Sequence, residues 1–192
     1  MKFGRKIAVG VLSCVLLAVV VLAFAGCASD QKKAADTYFK ALSPVIAKDL
    51  AATTWADQAV TEWGQKYQAT LETNRAGWTA FDALLQQMIV KAEDMQKGAE
   101  SITPPAAFKA AHEALIKAGS DGIARAKSFS AAIKANRSTS DLVAMADAFS
   151  SASFNAEVLA KFKAAAAAVG VTLPADLVKD LTDTTSSTTT SS

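Results

Sequence analysis

The segment Ile102-Thr103-Pro104-Pro105 divides two stretches of sequence in which apolar residues recur with the spacing of an α-helix. A residue that precedes proline is driven out of the helical region of backbone space, so the helix before this segment must end near Ser101. Thr103 and Pro104 suit the cap and the first turn of the next helix. The segment therefore predicts a short connection between two helices, and the other elements follow on either side of it.

Two helices are predicted upstream of this connection. The nearer one begins at Thr79, because Thr79 and Asp82 form an approximate capping box. Its apolar stripe consists of Phe81, Leu84, Leu85, Met88, Ile89, Ala92 and Met95. The farther one is longer, from about Lys32 to Leu71, and Glu72–Thr79 is predicted to connect the two.

Pro44 lies inside the long first helix, where it removes a backbone donor and crowds the preceding turn. We therefore predict a long helix that is kinked at Pro44. The alternative is a true break, with Ser43 as the cap and Pro44 in the first turn of a second helix. Thr53 and Thr54 weaken the middle of the same helix further, because β-branched residues are poor helix formers.

Two more helices are predicted downstream of the connection. The third helix runs from Pro104 to about Asn136 and carries the apolar stripe that includes Ala111. Ser138, with Asp141 three positions later, marks the start of the fourth helix. Gly170 is well placed to end that fourth helix in a left-handed conformation.

The predicted fold is all-α. Beyond the fourth helix, Leu173-Pro174 opens a short helix with Leu177 and Leu181 on its apolar side. Residues 182–192 are almost wholly Thr and Ser and are predicted to be disordered. Four amphipathic helices with short connections predict an antiparallel up-down four-helix bundle with a long, Pro-kinked first helix. The bundle domain is assigned to residues 27–181.

The first 26 residues have the pattern of a secretory signal peptide. Lys2, Arg5 and Lys6 form a positive start, and no charged residue follows from Ile7 to Gly26. Such a segment is removed from the mature protein and is excluded from reasoning about the fold. The alternative is an uncleaved transmembrane anchor, because the uncharged run is as long as the ~20 residues that a bilayer requires. Both interpretations place the remaining chain on the same side of the membrane.

The end of this run, Phe24-Ala25-Gly26-Cys27, resembles the lipobox of bacterial lipoprotein precursors. The resemblance implies cleavage before Cys27, a diacylglyceryl thioether on its sulfur, and a domain held at the extracytoplasmic face of a bacterial membrane. Two or more acyl chains hold a protein stably on a membrane, whereas one does not. Ala28, which follows the cysteine, resembles the outer-membrane sorting pattern of two-membrane bacteria.

Charge and cysteine content restrict the function further. Three of the 20 basic residues lie in the signal, so the mature part carries 17 basic against 18 acidic side chains. Without a basic excess there is no electrostatic surface for nucleic acid. Cys14 lies within the signal and Cys27 is predicted to be acylated, so the mature chain has no thiol for a disulfide.

His112 is the only histidine, and its surroundings do not match a known catalytic or metal pattern. In His112-Glu113 a zinc protease would need a second histidine where Ile116 stands. A di-metal bundle site would need a glutamate where Lys109 stands. We therefore expect His112 to be a packed, hydrogen-bonded structural residue, and we predict no cofactor, no metal site and no enzymatic activity.

Aromatic residues concentrate at Trp55, Trp63, Tyr67 and Trp78, on the long helix and the segment that follows it. They are interpreted as a local aromatic core or, alternatively, as an apolar pocket or partner surface, because exposed aromatic residues mark such sites. Trp55 is the strongest candidate for exposure, since it falls one position off the main apolar stripe.

These observations predict a lipid-anchored, non-enzymatic helical bundle that binds an envelope protein or a small apolar ligand. The alternatives are a helical carrier of a metal or haem group, and an envelope enzyme. The turn at Ile102–Pro105 followed by Ala111-His112 is similar to small helical lipoproteins of uncharacterised function. That similarity implies a bundle and assigns no activity.

Overall fold

The computed structural model describes residues 28–71, 73, 75–150 and 154–183, and all secondary structure among them is helical. The all-α class predicted from the sequence is confirmed. The predicted signal of residues 1–26, Cys27 and the chain from residue 184 onward lie outside the described residues. The helices are α1 Ala28–Tyr67, α2 Ala76–Glu100, α3 Lys109–Lys134, α4 Thr139–Ser150, α5 Phe154–Val169 and α6 Ala175–Asp183, with 3₁₀ turns at Gln68–Thr70 and Ala106–Phe108.

Helix α1 is continuous across Pro44 and across Thr53 and Thr54, so the predicted alternative of a true break is wrong. Pro44 is exposed, while Leu42 and Ile46 on either side of it are buried in the core. Tertiary packing of these flanking side chains therefore offsets the backbone donor that the proline lacks. Within the described residues, no helix is both long and apolar enough to span a bilayer.

Helix α2 begins at Ala76, so the predicted start at Thr79 is wrong. The backbone N–H of Thr79 already donates to the Arg75 carbonyl at 3.1 Å, which places Thr79 inside the helix rather than at its cap. Asp82 does not complete a capping box; instead its Oδ1 accepts from the Ser130 hydroxyl on α3 at 2.6 Å. An interhelical hydrogen bond has replaced the local one that the sequence pattern indicated.

The start of α3 also differs from the prediction, whereas the end of α2 agrees with it. Helix α2 ends at Glu100 with Ser101 as its C-cap. Pro105 is extended, with ψ of 157°, and only a 3₁₀ turn separates it from the start of α3 at Lys109. Pro104 therefore does not form the first turn of the helix, because Pro104 itself precedes a proline and is restricted in the same way as Thr103.

The helix ends downstream follow the local sequence signals. Asn136 takes a left-handed conformation with φ of 57° just after α3, and Gly170 does so with φ of 67° just after α5. The Ser138 hydroxyl accepts from the backbone N–H of Asp141 at 3.2 Å, as expected of an N-cap. The range predicted as one fourth helix contains α4 and α5, and residues 151–153 between them lie outside the described residues.

The buried side chains form two groups. The α1–α5 core joins the first half of α1 to the start of α3, to α5 and to α6, and includes Tyr38, Phe39, Leu42, Phe108, Phe162 and Leu177. The α2–α4 core joins α2 to the second half of α3 and to α4, and includes Trp78, Leu85, Ile89, Phe129, Ile133 and Leu142. The long helix α3 contributes to both, so it connects the two ends of the domain.

The guanidinium of Arg75 connects the start of α2 to the end of α3. It donates to the carbonyl of Ile133 at 3.2 Å and to that of Arg137 at 2.6 Å. Carbonyls at and just beyond a helix C-terminus carry partial negative charge, so a cation is favourable there. This contact fixes the end of the domain opposite to the first turns of α1.

The short helix α6 packs on α1, as its predicted apolar side requires. Leu177 and Leu181 are buried in the α1–α5 core. Helix α6 continues to Asp183, two residues into the segment that was predicted to be a disordered tail. Asp180 is only 7% exposed, and its side chain is hydrogen-bonded to Asp49 on α1.

Burial raises the pKa of the Asp49 carboxyl, although its hydrogen bond with Asp180 acts in the opposite direction. Two carboxyl groups that are hydrogen-bonded to each other must hold at least one proton between them. The native state therefore keeps a proton that the unfolded chain releases near pH 4. The stabilisation that this proton provides is fully present below that pH. It is lost as the pH rises through the raised pKa of Asp49 in the native state.

We therefore predict that the free energy of unfolding falls as the pH rises from about 4 through the raised pKa of Asp49. Asp49→Asn should flatten this dependence, because the amide donates a hydrogen bond to Asp180 at every pH. Urea unfolding across this pH range measures the effect. Asp57→Asn, at an exposed position of the same helix, is the matched control and should keep the wild-type slope. Equal slopes in wild type and Asp49→Asn would contradict the assignment.

Candidate functional site

An open groove of about 850 Å³ lies beside the first turns of α1. One wall is α1 and the other is the connection between α2 and the 3₁₀ turn at Ala106–Phe108. We call this feature the N-terminal groove. It is lined by Asp30, Lys33, Ala34, Thr37, Tyr38, Ala41, Ser101, Ile102, Thr103, Pro104 and Pro105.

The lining of the N-terminal groove is mainly apolar, with two charged side chains near the start of α1. Asp30 and Lys33 are exposed there, while small alanines and the Ile102–Pro105 connection supply the apolar surface. The Thr37 hydroxyl donates to the Lys33 carbonyl at 2.9 Å, so it is engaged by its own helix. A groove with a charged end and an apolar wall suits an amphiphilic ligand.

Tyr38 lies at the base of the groove, where it is 2% exposed. Its hydroxyl lies 3.0 Å from Nδ1 of His112 on α3. Burial raises the pKa of the Tyr38 phenol well above its usual range, so the hydroxyl keeps its proton and can donate. Tyr38 therefore joins α1 to α3 directly beneath the groove.

His112 is 5% exposed, and burial lowers the pKa of its imidazole. A hydrogen bond to the backbone carbonyl of Ala99, near the end of α2, acts in the opposite direction. A neutral imidazole fits this arrangement, because one nitrogen then donates while Nδ1 accepts from Tyr38. The base of the groove is thus held by groups from three helices, α1, α2 and α3.

Aromatic rings surround this hydrogen bond and fix the base further. The rings of Tyr38 and Phe108 stack with centroids 5.6 Å apart, and Phe39 meets Phe108 edge-on at 5.0 Å. Phe162 of α5 lies 6.3 Å from Phe108. Such pairs contribute about 0.5–1.5 kcal/mol each beyond the area they bury. The groove is therefore built on a rigid, closely packed support.

Three of the four aromatic residues singled out in the sequence meet at the other end of α1. Trp63 and Trp78 have ring centroids 6.1 Å apart, and Trp63 Nε1 donates to the carbonyl of Gly77 at 2.7 Å. A Cβ added to Gly77 would lie 3.0 Å from Cβ of Tyr67, so glycine permits this close approach. Trp78 is 2% exposed and packs against Phe129 in the α2–α4 core.

Trp55 lies apart from this aromatic group. It is half-buried, and the ammonium of Lys91 on α2 stands 4.9 Å from its ring centroid. The neighbouring depression between α1 and α2 is smaller, about 290 Å³, and contains the 2.8 Å ion pair between Lys48 and Asp94. The N-terminal groove, at about 850 Å³, is larger than this depression and lies at the start of α1, away from the predicted aromatic positions.

Tyr38 is not among the site residues predicted from the sequence. The sequence does contain an indication of the Tyr38–His112 pair. A tyrosine on a core face needs a partner for its hydroxyl, and His112 is the only histidine in the chain. The pair is separated by 74 positions, so periodicity alone could not join them. The Ile102–Pro105 segment was recognised as a connection but not as a wall of a groove.

Comparisons with protein-family models, with curated proteins and with solved structures find no match to this chain. Within the described residues, no three His, Cys, Asp or Glu side chains come together in a way that could hold a metal ion.

We predict that Tyr38→Phe destabilises the domain by about 1–3 kcal/mol, because it leaves the buried Nδ1 of His112 without its donor. Urea unfolding at neutral pH measures the loss. Tyr67→Phe is the matched control, since Tyr67 is a half-buried tyrosine on the same helix, and it should cost less than about 0.5 kcal/mol. Equal effects of the two substitutions would show that the Tyr38–His112 hydrogen bond has no special role.

Proposed function

We propose that this chain is a lipid-anchored lipoprotein of the bacterial cell envelope and that its helical domain is a non-enzymatic binding module. The protein would be cleaved before Cys27 and held by its lipid at the extracytoplasmic face of a membrane. The observation that carries the proposal is the N-terminal groove of about 850 Å³, which begins at Asp30, three residues after Cys27. Its ligand would be a small apolar molecule, with an envelope protein as the alternative partner, and not a nucleic acid.

The anchor is supported by the order of features at the N-terminus. A positive start, an uncharged run and the Phe24–Cys27 lipobox precede a helix that begins at Ala28. No spacer then separates the lipid on Cys27 from α1. The first turns of the helix would stand on the membrane, with the groove beside them.

We also propose that α1, α2, α3 and the pair α4–α5 form an antiparallel up-down bundle in which Pro44 bends α1. The contacts of α3 support this arrangement. At its start, His112 meets Tyr38 of α1 and the Ala99 carbonyl near the end of α2. At its end, the Ile133 carbonyl meets Arg75 at the start of α2. These two contacts support opposite directions for α2 and α3.

The groove supports binding better than it supports catalysis or metal transport. His112 is the base that an enzyme could use, yet it is buried beneath the groove and engaged with Tyr38 and Ala99. The same engagement makes it a poor ligand for haem or a metal ion. An apolar wall with a charged end can bind without reacting, and the rigid base lowers the entropic cost of binding.

We predict that Cys27→Ala leaves the precursor uncleaved and without lipid, because the sulfur of Cys27 is the site of lipid attachment. The intact mass of the protein extracted from its own membranes measures both changes. Wild type should begin at Cys27 and carry acyl groups. Cys14→Ala is the matched control and should be processed as wild type, since Cys14 lies within the signal. Normal processing of Cys27→Ala would refute the lipoprotein assignment.

A further inference from the structure

We propose that the N-terminal groove holds a phospholipid of the membrane in which the protein is anchored. This inference rests on the proposed function, because it requires the lipid on Cys27 to keep the start of α1 at the bilayer surface. The apolar wall of the groove, which continues along α1 away from the membrane, would receive part of one acyl chain turned out of the bilayer. The ammonium of Lys33 would meet the phosphate of the headgroup.

The position of the groove relative to Cys27 is the first argument. An α-helix rises 1.5 Å per residue, so Asp30 and Lys33 lie only about 3 Å and 7.5 Å along the axis from Ala28, the residue that follows Cys27 in the sequence. The polar region of each bilayer leaflet is about 5–8 Å thick. The charged end of the groove is therefore at the depth of the headgroups, where phospholipids are the most concentrated molecules available.

The chemistry of the lining is the second argument. Lys33 is exposed and, among the described residues, forms no ion pair, so its ammonium is available to an anion. Ala34 and Ala41 are exposed small residues that leave space along α1, opposite Ile102 and Pro104. The charged side chains of Lys33 and Asp30 at one end, and an apolar channel beyond them, match the order of polar headgroup and acyl chain in a phospholipid.

The rigidity of the groove is the third argument. Its base is fixed by the hydrogen bond between Tyr38 and His112, and its far wall contains two consecutive prolines with restricted backbones. A preformed site avoids the cost of ordering a loop when the ligand binds. Its volume of about 850 Å³ also lies within the ~300–1,000 Å³ typical of small-molecule sites.

The test is native mass spectrometry of the full lipidated protein, extracted in mild detergent and mixed with phosphatidylglycerol. We expect one phospholipid to remain bound to wild type. Ala41→Trp should fill the groove and raise the Kd for phosphatidylglycerol at least about tenfold, equivalent to about 1.4 kcal/mol. Ala47→Trp is the matched control, an exposed alanine of the same helix outside the groove, and should bind as wild type.

A second pair of variants tests the headgroup contact without adding bulk. Lys33→Glu should weaken phosphatidylglycerol binding by a similar factor, whereas Lys40→Glu, at an exposed position outside the groove, should not. Both positions are on the surface, so both variants should retain the helical circular dichroism of wild type. If Ala41→Trp fails to fold, this pair decides the question.

The outcomes separate the inference from the proposed function. A lipidated mass with no retained phosphatidylglycerol, or equal retention in the variants and their controls, would overturn the inference and leave the anchor intact. Retention of a second copy of the chain in place of lipid would overturn it as well. A mass that begins at Met1 without acyl groups would overturn the proposed function itself.

Discussion

The hydrogen bond between the Tyr38 hydroxyl and His112 is the contact on which the groove end of this domain depends. It holds α1 to α3, and through the Ala99 carbonyl it also holds the end of α2. The bond is buried, so neither partner can exchange it for water, and the loss of one leaves the other unsatisfied. The N-terminal groove lies directly above it, which makes the shape of the groove a consequence of the core.

The local features of the fold could be predicted from the sequence. Asn136 and Gly170 end their helices in the left-handed conformation, and Ser138 caps α4, because these choices depend on only a few neighbouring residues. The same holds for the end of α2 near Ser101 and for the short amphipathic helix α6. The all-α class follows from the spacing of apolar residues along the chain.

Other features could not be predicted from the sequence, because they depend on contacts between residues that are far apart in the chain. Thr79 had the pattern of a cap, but the burial of Trp78 and the Arg75 contacts with the end of α3 place the start of α2 earlier. Tyr38 meets His112 across 74 positions, and the groove needs both α1 and the Ile102–Pro105 connection. The aromatic residues at positions 55, 63, 67 and 78 are a candidate site in the sequence because they are concentrated there. The N-terminal groove, however, lies elsewhere.

We propose that the groove end of the domain stands at the membrane, and the depth of two labels tests this proposal most directly. Thr103 lies at the groove, whereas Arg137 lies near the opposite end of α1, a helix of 40 residues that is about 60 Å long. A fluorophore would be placed on Thr103→Cys or Arg137→Cys in the lipidated protein on vesicles with headgroup-linked quenchers. We predict strong quenching at position 103 and little at 137. Equal quenching, or stronger quenching at 137, would contradict the account.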